Sequence, residues 1–290
     1  MNRTQVWIHA SRPKTLVAGL SPVLIGTTLA LTQGYLQPIL FLFTLLTALC
    51  IQIGTNLAND YFDFIKGADT AERKGFLRVT QAGLVKPKTM KYAIFYSFIL
   101  AALCGGYLVW HTGGVVLFMM LAVYILLSIF YTAGPYPLAY KGLGDLLVFV
   151  FYGPMAVLIT YYLQTHAFSW LPFFVGVCPG ALSMAILVVN NVRDIEEDAK
   201  ANKKTLPVRF GKAFGKAEYL FAIFLSLVPI PFFYSSHPFS LLALLILLPA
   251  IPLIRHILYY EHPRELNVLL AKTGQLLWIF TLLFCIGWML

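Results

Sequence analysis

The sequence predicts an all-α polytopic membrane protein: a bundle of nine transmembrane helices with a cytoplasmic cap of loops. Three observations predict it. Of the 290 residues, 59% are hydrophobic and only 11% are charged, against about 25% charged in ordinary soluble domains. The apolar residues come in long unbroken blocks, which excludes a soluble enzyme, a disordered chain, collagen and a coiled coil. All 21 Lys and Arg residues fall on one side of those blocks once the blocks are taken as crossings.

A helix needs about 20 mostly apolar residues to cross ~30 Å of hydrocarbon, where only the helix itself satisfies backbone polar groups. Nine segments fit, in order: Thr15 to Leu31, Ile39 to Ala58, Tyr92 to Trp110, Gly114 to Ala133, Leu146 to Leu163, Leu171 to Val189, Tyr219 to Tyr234, Phe239 to Ile254 and Val268 to Leu290. The first is read as a span and not a cleavable leader, because its apolar character continues past Leu31 with no small-residue cleavage site. Pro229, Pro231, Pro249 and Pro252 predict kinks in the seventh and eighth. Gly105-Gly106 and Gly113-Gly114 are expected to allow close helix packing.

The connecting segments then alternate between two faces. One face carries Arg3, Arg12 and Lys14, then clusters around Lys66 to Lys91, Lys141, Arg193 to Lys216 and Arg255 to Lys272. The turns on the other face carry no charge except histidine. The positive-inside rule places the N-terminus and the two large loops in the cytoplasm. The +9 net charge is therefore a topology signal and implies no nucleic acid. A basic rim also favours anionic headgroups or an anionic substrate. All 12 acids lie on the same side or at its helix ends, unlike the midplane carboxylates of ion-coupled transporters. Cys50, Cys104, Cys178 and Cys285 sit singly in apolar stretches and read as small core hydrophobes.

Two acidic segments carry the chemistry. The first runs Asn56-Leu-Ala-Asn59-Asp60-Tyr61-Phe-Asp63 and on through Lys66 to Asp69. The second runs Asn190-Asn191-Val-Arg193-Asp194-Ile-Glu-Glu197-Asp198. Asn59 with Asp63, Asn190 with Asp194 and Asp194 with Asp198 share helix faces at i, i+4. Like charges at that spacing repel unless a cation sits between them. Mg²⁺ suits all-oxygen ligands and is commonly shared between carboxylates and substrate phosphates. Spacing alone serves equally a pair of solvated loops whose Asn and Asp cap helices. The repetition of Asn with staged Asp at equivalent helix ends favours the metal reading.

These segments resemble those of the UbiA superfamily of intramembrane prenyltransferases, in particular the branch that prenylates 1,4-dihydroxy-2-naphthoate in menaquinone synthesis. The resemblance rests on Arg12-Pro13-Lys14-Thr15-Leu16, Asn56 to Asp69, Tyr140-Lys141-Gly142-Leu-Gly144-Asp145, Asn190-Asn191-x-Arg193-Asp194-Ile to Asp198, and Thr205-Leu-x-Val-Arg209-x-Gly211. It covers residues 12 to about 211; the last three spans match only in being apolar. The usual NDxxDxxxD motif would end at residue 67, where this chain has Gly67, with Asp69 the nearest candidate. Asn202 stands at a usual Gly and Phe76 at a usual Pro.

The resemblance implies a single prenyltransferase domain over residues 1–290, in the inner (cell) membrane, that uses Mg²⁺, a prenyl diphosphate and an aromatic acceptor. No obligatory protein partner is evident. The implied reaction moves a polyprenyl group to the naphthoate with loss of CO₂ and diphosphate, giving demethylmenaquinone. By matching positions, Asn59, Asp63, Asp69, Asn191, Asp194 and Asp198 are the metal candidates. Asp60, Asp63, Asp194 and Lys141 are the catalytic candidates. Lys66, Arg78, Arg193 and Lys203 are expected on the diphosphate, and Arg12, Lys14, Tyr140 and Lys141 on the acceptor side. The alternatives are another aromatic acceptor, such as 4-hydroxybenzoate, homogentisate or a porphyrin, and a secondary transporter.

Overall fold

The computed structural model describes residues 1–67, 74–134 and 137–290. A short helix α1 (Arg3–Ser11) meets α2 (Pro13–Leu31) at Arg12, whose left-handed backbone (φ 51°) makes the joint. Then follow α3 (Pro38–Ile65), α4 (Pro87–Thr112), α5 (Val115–Phe130), α6 (Gly144–Phe151), α7 (Pro154–Thr165), α8 (Trp170–Arg193), α9 (Ile195–Lys200), α10 (Leu206–Phe210), α11 (Lys212–Leu225), α12 (Leu247–Tyr259) and α13 (Leu266–Met289). Four of them open with Pro directly at their first position, where its missing N–H costs nothing and its φ is already helical.

Eight segments among the described residues are long and apolar enough to cross a membrane. The fourth expected span is shorter: α5 has 16 residues, ~24 Å of helix. The second span runs well past its expected end at Ala58, so that α3 carries Asn59, Asp60 and Asp63 beyond the apolar block. The proline-rich seventh and eighth spans are α helix for only part of their length. Ile230–Phe233 and Pro238–Ile246 wind as 3₁₀ turns, which suits prolines that cannot give an i−4 hydrogen bond.

The fifth span breaks at Tyr152-Gly153 into α6 and α7. The break is a packing solution. A Cβ on Gly153 would come within 2.5 Å of the Gly176 oxygen and the Gly180 Cα on α8, so three glycines let two backbones touch. This is where close approach occurs, whereas Gly113 and Gly114 make the α4–α5 turn with φ 77° and 103°. Gly105 does serve packing, beneath Leu121 of α5.

The centre of the bundle is α8, which packs against α2, α6, α7, α11 and α13 and buries most of its residues. By contrast α5 packs on α3 and α4 and buries only Leu117. The charged ends of these helices are laced together. Asn267 in the first turn of α13 donates to the Lys74 carbonyl at 2.9 Å, Lys74 N–H donates to Glu197 at 2.8 Å, and Lys204 N–H donates to the Tyr140 carbonyl at 3.0 Å. Segments following α3, α5 and α8 therefore form one cap over one end of the bundle.

Candidate active site

Under the cap lies a cavity of about 290 Å³. Its mouth carries Arg12, Asn59, Asp63, Arg78, Asn190 and Lys203, and below them the wall becomes mainly apolar down to Leu117 and Leu163. Thr44 at the inner end and Asp63 at the mouth are both on α3, 19 residues apart. At 1.5 Å per residue the cavity therefore runs ~28 Å along that helix. A charged mouth on a long hydrocarbon-lined shaft suits a molecule with an anionic head and an apolar tail.

The loop that supplies Arg78 is fixed by Asp60. Both carboxylate oxygens of this buried side chain are used, accepting at 3.0 Å from the amides of Val79 and Thr80. Asp60 thus positions Arg78 and does not itself face the cavity. Its alanine variant strands two buried amides, which costs about 1–3 kcal/mol each. We expect a lowered thermal midpoint together with weaker anion binding at the mouth, measured by thermal unfolding and by the KM of the anionic substrate.

Asp63 accepts from Arg78 Nη2 at 3.0 Å and from the Tyr140 hydroxyl at 3.1 Å. The Asn59 carboxamide oxygen meets the Thr132 hydroxyl. Lys66 donates to the Thr132 carbonyl at 2.5 Å and stands 4.5 Å over the Tyr140 ring. Burial pulls the Lys66 ammonium below its ordinary pKa, with Asp63 offsetting part of the shift.

On the other side, Lys203 donates to Asp198 at 3.1 Å. Asn202, with φ 55°, supplies the turn that brings it there, as asparagine tolerates better than most residues. Burial pushes Asp198 up to about 6, the carboxylates of Asp194 and Asp63 push the same way, and Lys203 offsets part of this. Burial also pulls on Lys203, but Asp198, Asp63 and Asp194 together hold its ammonium above the ordinary value. One lysine thus sits in the field of three carboxylates drawn from both acidic segments.

Several expected residues stand elsewhere. Arg193 is buried and engaged: it clasps both oxygens of Asp194 at 2.7 Å and reaches Asn190 at 2.6 Å and Asn267 at 2.9 Å. It ties the end of α8 to α13 and does not line the cavity. Asn191 donates to Asp145 at 3.0 Å, leaving its neighbour Asn190 on the cavity wall. The sequence signal for Asn190 was its i, i+4 relation to Asp194. Lys14 lies 4.8 Å over the Phe76 ring. Lys66, Tyr140 and Lys141 line a second pocket of about 530 Å³, with Lys204 and Arg209. Arg209 braces it by donating to the carbonyls of Lys204 at 3.0 Å and Lys141 at 2.9 Å. Tyr140 separates the two pockets, its hydroxyl toward Asp63 and its ring under Lys66. Asp69 lies outside the described residues.

Among the described residues, no three His, Cys, Asp or Glu side chains gather into a metal cage. Mg²⁺ rarely needs one, since it is usually held by one or two carboxylates together with substrate phosphates and water. The donors at this mouth are all oxygen, and Asp198 Oδ2 is buried with no hydrogen-bond partner. An orphaned carboxylate oxygen beside an anion-binding mouth fits a shared site of that kind.

Comparison with known proteins identifies the family. The chain is 36% identical to the 1,4-dihydroxy-2-naphthoate octaprenyltransferase of Escherichia coli K12, over 99% of this chain and 96% of that one. It is 40% identical to the protein of the same name from Mycobacterium tuberculosis, over 71% and 70% of the two chains. In fold it is similar to a UbiA homolog from Archaeoglobus fulgidus bound to DMAPP and Mg²⁺, with a TM-score of 0.63 at 15% identity over 97% and 98% of the chains. The model of the UbiA prenyltransferase family matches residues 19–280, and the chain belongs to that family.

Proposed function

We propose that this protein transfers a polyprenyl group from an allylic prenyl diphosphate to 1,4-dihydroxy-2-naphthoate on the cytoplasmic side of the cell membrane. The observation that carries the proposal is one cavity, ~28 Å long, that joins a cation- and carboxylate-lined mouth to a mainly apolar shaft. Identity above 30% over nearly the whole chain to naphthoate prenyltransferases supports the acceptor.

In this reading Arg78, Lys203 and Arg12 bind diphosphate oxygens and the acceptor carboxylate at the mouth. Asp63, Asn59, Asn190 and Asp198 are the groups that would hold Mg²⁺, with Asp194 in the same electrostatic field. Bound there, the ion supplies Lewis-acid stabilisation of the departing diphosphate. The C1–O bond breaks and its electron pair leaves with the diphosphate, whose charge the mouth cations share. The apolar shaft holds the tail and keeps water from the allylic cation. The ring carbon bearing the carboxylate then attacks C1. Its C–C bond to the carboxylate breaks, CO₂ leaves, and the electron pair restores the aromatic ring. The immediate product is the prenylated dihydroxynaphthalene, which an oxidant converts to demethylmenaquinone.

We read α5 as the ninth crossing. It starts at the turn that ends α4, and just past its end Thr132 meets Asn59 and Lys66 at the end of α3. With nine crossings every Lys and Arg remains on one face, and the positive-inside rule makes that face cytoplasmic.

Asp198 gives a pH dependence. Its folded pKa lies above the ordinary value, so in metal-free protein its charge costs stability. That cost is absent at low pH, grows as pH rises past the ordinary carboxylate range, and is complete above about 6. A carboxylate must lose its proton to bind metal, so apparent Mg²⁺ affinity falls about tenfold per unit below that point. The Mg²⁺ concentration for half-maximal turnover, measured against pH, checks this.

The function is tested by the mass of the product formed in membranes from the naphthoate, a prenyl diphosphate and Mg²⁺. A prenylated, decarboxylated naphthalene is expected. Product only from 4-hydroxybenzoate, homogentisate or a porphyrin would assign another acceptor, and no product from any would defeat the reading.

A further inference from the structure

Below the mouth, the cavity wall carries a second polar tier that the steps above do not use. Gln52 lies seven residues before Asn59 on α3, and Ser183 lies seven residues before Asn190 on α8. Seven residues are ~10.5 Å of rise and return a side chain to within about 20° of the same face. Both helices run toward the charged end, so the two residues stand at one depth, directly inward of the two asparagines. Both line the same cavity and are buried, at 6% and 2% exposure.

Gln52 Oε1 and Ser183 Oγ have no hydrogen-bond partner. Four other hydroxyls on the same wall are satisfied within their own helices. Thr44, Thr47, Thr55 and Ser128 line the same cavity, and each donates to the carbonyl four residues back at 2.7 Å. Ser183 has the Pro179 carbonyl at that offset and makes no such bond. Unpaired buried polar groups are unfavourable and call for a partner. At the same depth α2 presents Gly19, seven residues after Arg12. A Cβ there would find only ordinary contacts, 3.5 Å from the Ala48 oxygen and 3.6 Å from Gln52 Cβ, so packing does not require the glycine. Its absence leaves room beside Gln52.

The partner is defined by elimination among the substrates, on the reading given under the proposed function. A diphosphate needs cations, which stand at the mouth, and an isoprenoid tail has no polar atom. A neutral phenol both donates and accepts. We propose that Gln52 and Ser183 bind a ring hydroxyl of the aromatic acceptor, the one on the carbon para to the other hydroxyl and farther from the carboxylate. The nearer hydroxyl is already engaged by its neighbouring carboxylate. This contact holds the carboxylate-bearing carbon against C1, with the carboxylate directed to the mouth cations.

The test uses Gln52→Leu and Ser183→Ala in the full chain in membranes, with 1,4-dihydroxy-2-naphthoate and with 1-hydroxy-2-naphthoate, which lacks the far hydroxyl. With the dihydroxy acceptor each variant should lose up to about tenfold in kcat/KM, at an unchanged KM for prenyl diphosphate. With the monohydroxy acceptor the variants should match the wild type. Their thermal midpoints should stay level or rise, since each loses an orphaned polar atom, whereas a structural role would lower them. Equal losses on both acceptors, or a change confined to the prenyl diphosphate KM, would overturn the assignment while leaving the function intact. Wild-type protein that prenylates neither naphthoate would overturn the function and this assignment with it.

Discussion

Asp63→Asn leaves the protein folded and lowers prenyl transfer by about 10²–10³-fold, the scale seen when one preorganised electrostatic contact to a transition state is lost. Asp63 faces the cavity, and its two oxygens are divided between Arg78 at 3.0 Å and the Tyr140 hydroxyl at 3.1 Å. Both ion-pair partners are nearly buried, at 8% and 9% side-chain exposure. Deleting one member of such a pair costs about 3–5 kcal/mol because the other charge is stranded. Alanine would therefore confound chemistry with folding. Asparagine also removes the charge that a divalent ion requires, but it keeps the shape and a hydrogen-bond acceptor for Arg78, so it costs less stability than alanine. Turnover measured alongside the thermal midpoint separates the two effects. Near-wild-type turnover in this variant would remove Asp63 from the site.

Lys203→Met gives a loss of similar size by the opposite route, and it adds a signature of its own. Lys203 is the cation in the field of Asp198, Asp63 and Asp194, and it lines the mouth. Removing it leaves three carboxylates to repel one another, so metal-free protein should unfold at a lower temperature. Mg²⁺ should restore more of the thermal midpoint in the variant than in the wild type, because the ion replaces part of the missing charge. Turnover does not recover with it, since no side chain then takes the diphosphate oxygen that Lys203 would bind. Thermal scans with Mg²⁺ and with a chelator check the first point, and saturating-substrate rates check the second. A variant whose midpoint ignores Mg²⁺ would contradict a shared metal site.

Most of the architecture was legible because bilayer physics writes itself in long apolar runs and in the placement of basic residues. The two acidic patches were legible too: α3 carries Asn59 and Asp63 on continuous helix at i, i+4, and the second patch keeps that spacing across the end of α8, the cap residue Asp194 and α9. What failed to show was everything set by tertiary contact. Asn190 and Asn191 differ by about 100° around α8, and which one faces the cavity depends on Asp145, 46 residues earlier, holding Asn191 aside at 3.0 Å. Asp60 reads as a catalytic candidate beside Asp63, yet the amides of Val79 and Thr80, far along the chain, consume both its oxygens. Arg193 reads as a free cation and is consumed by Asp194, Asn190 and Asn267. The break at Gly153 hides inside an apolar run, because its cause is the glycine surface of α8. Pro229 and Pro231 did announce the 3₁₀ winding of the seventh span, whereas in the eighth the 3₁₀ stretch ends before Pro249 and Pro252, which sit within α12.

The most direct test of the account follows diphosphate release from a prenyl diphosphate in membranes containing the wild-type chain, with the acceptor present, as Mg²⁺ is removed by EDTA and then restored. Release should stop with EDTA, return with Mg²⁺ in excess, and stay low throughout in Asp63→Asn. Release that continues unchanged in EDTA would contradict the claim that these facing carboxylates work through a divalent ion.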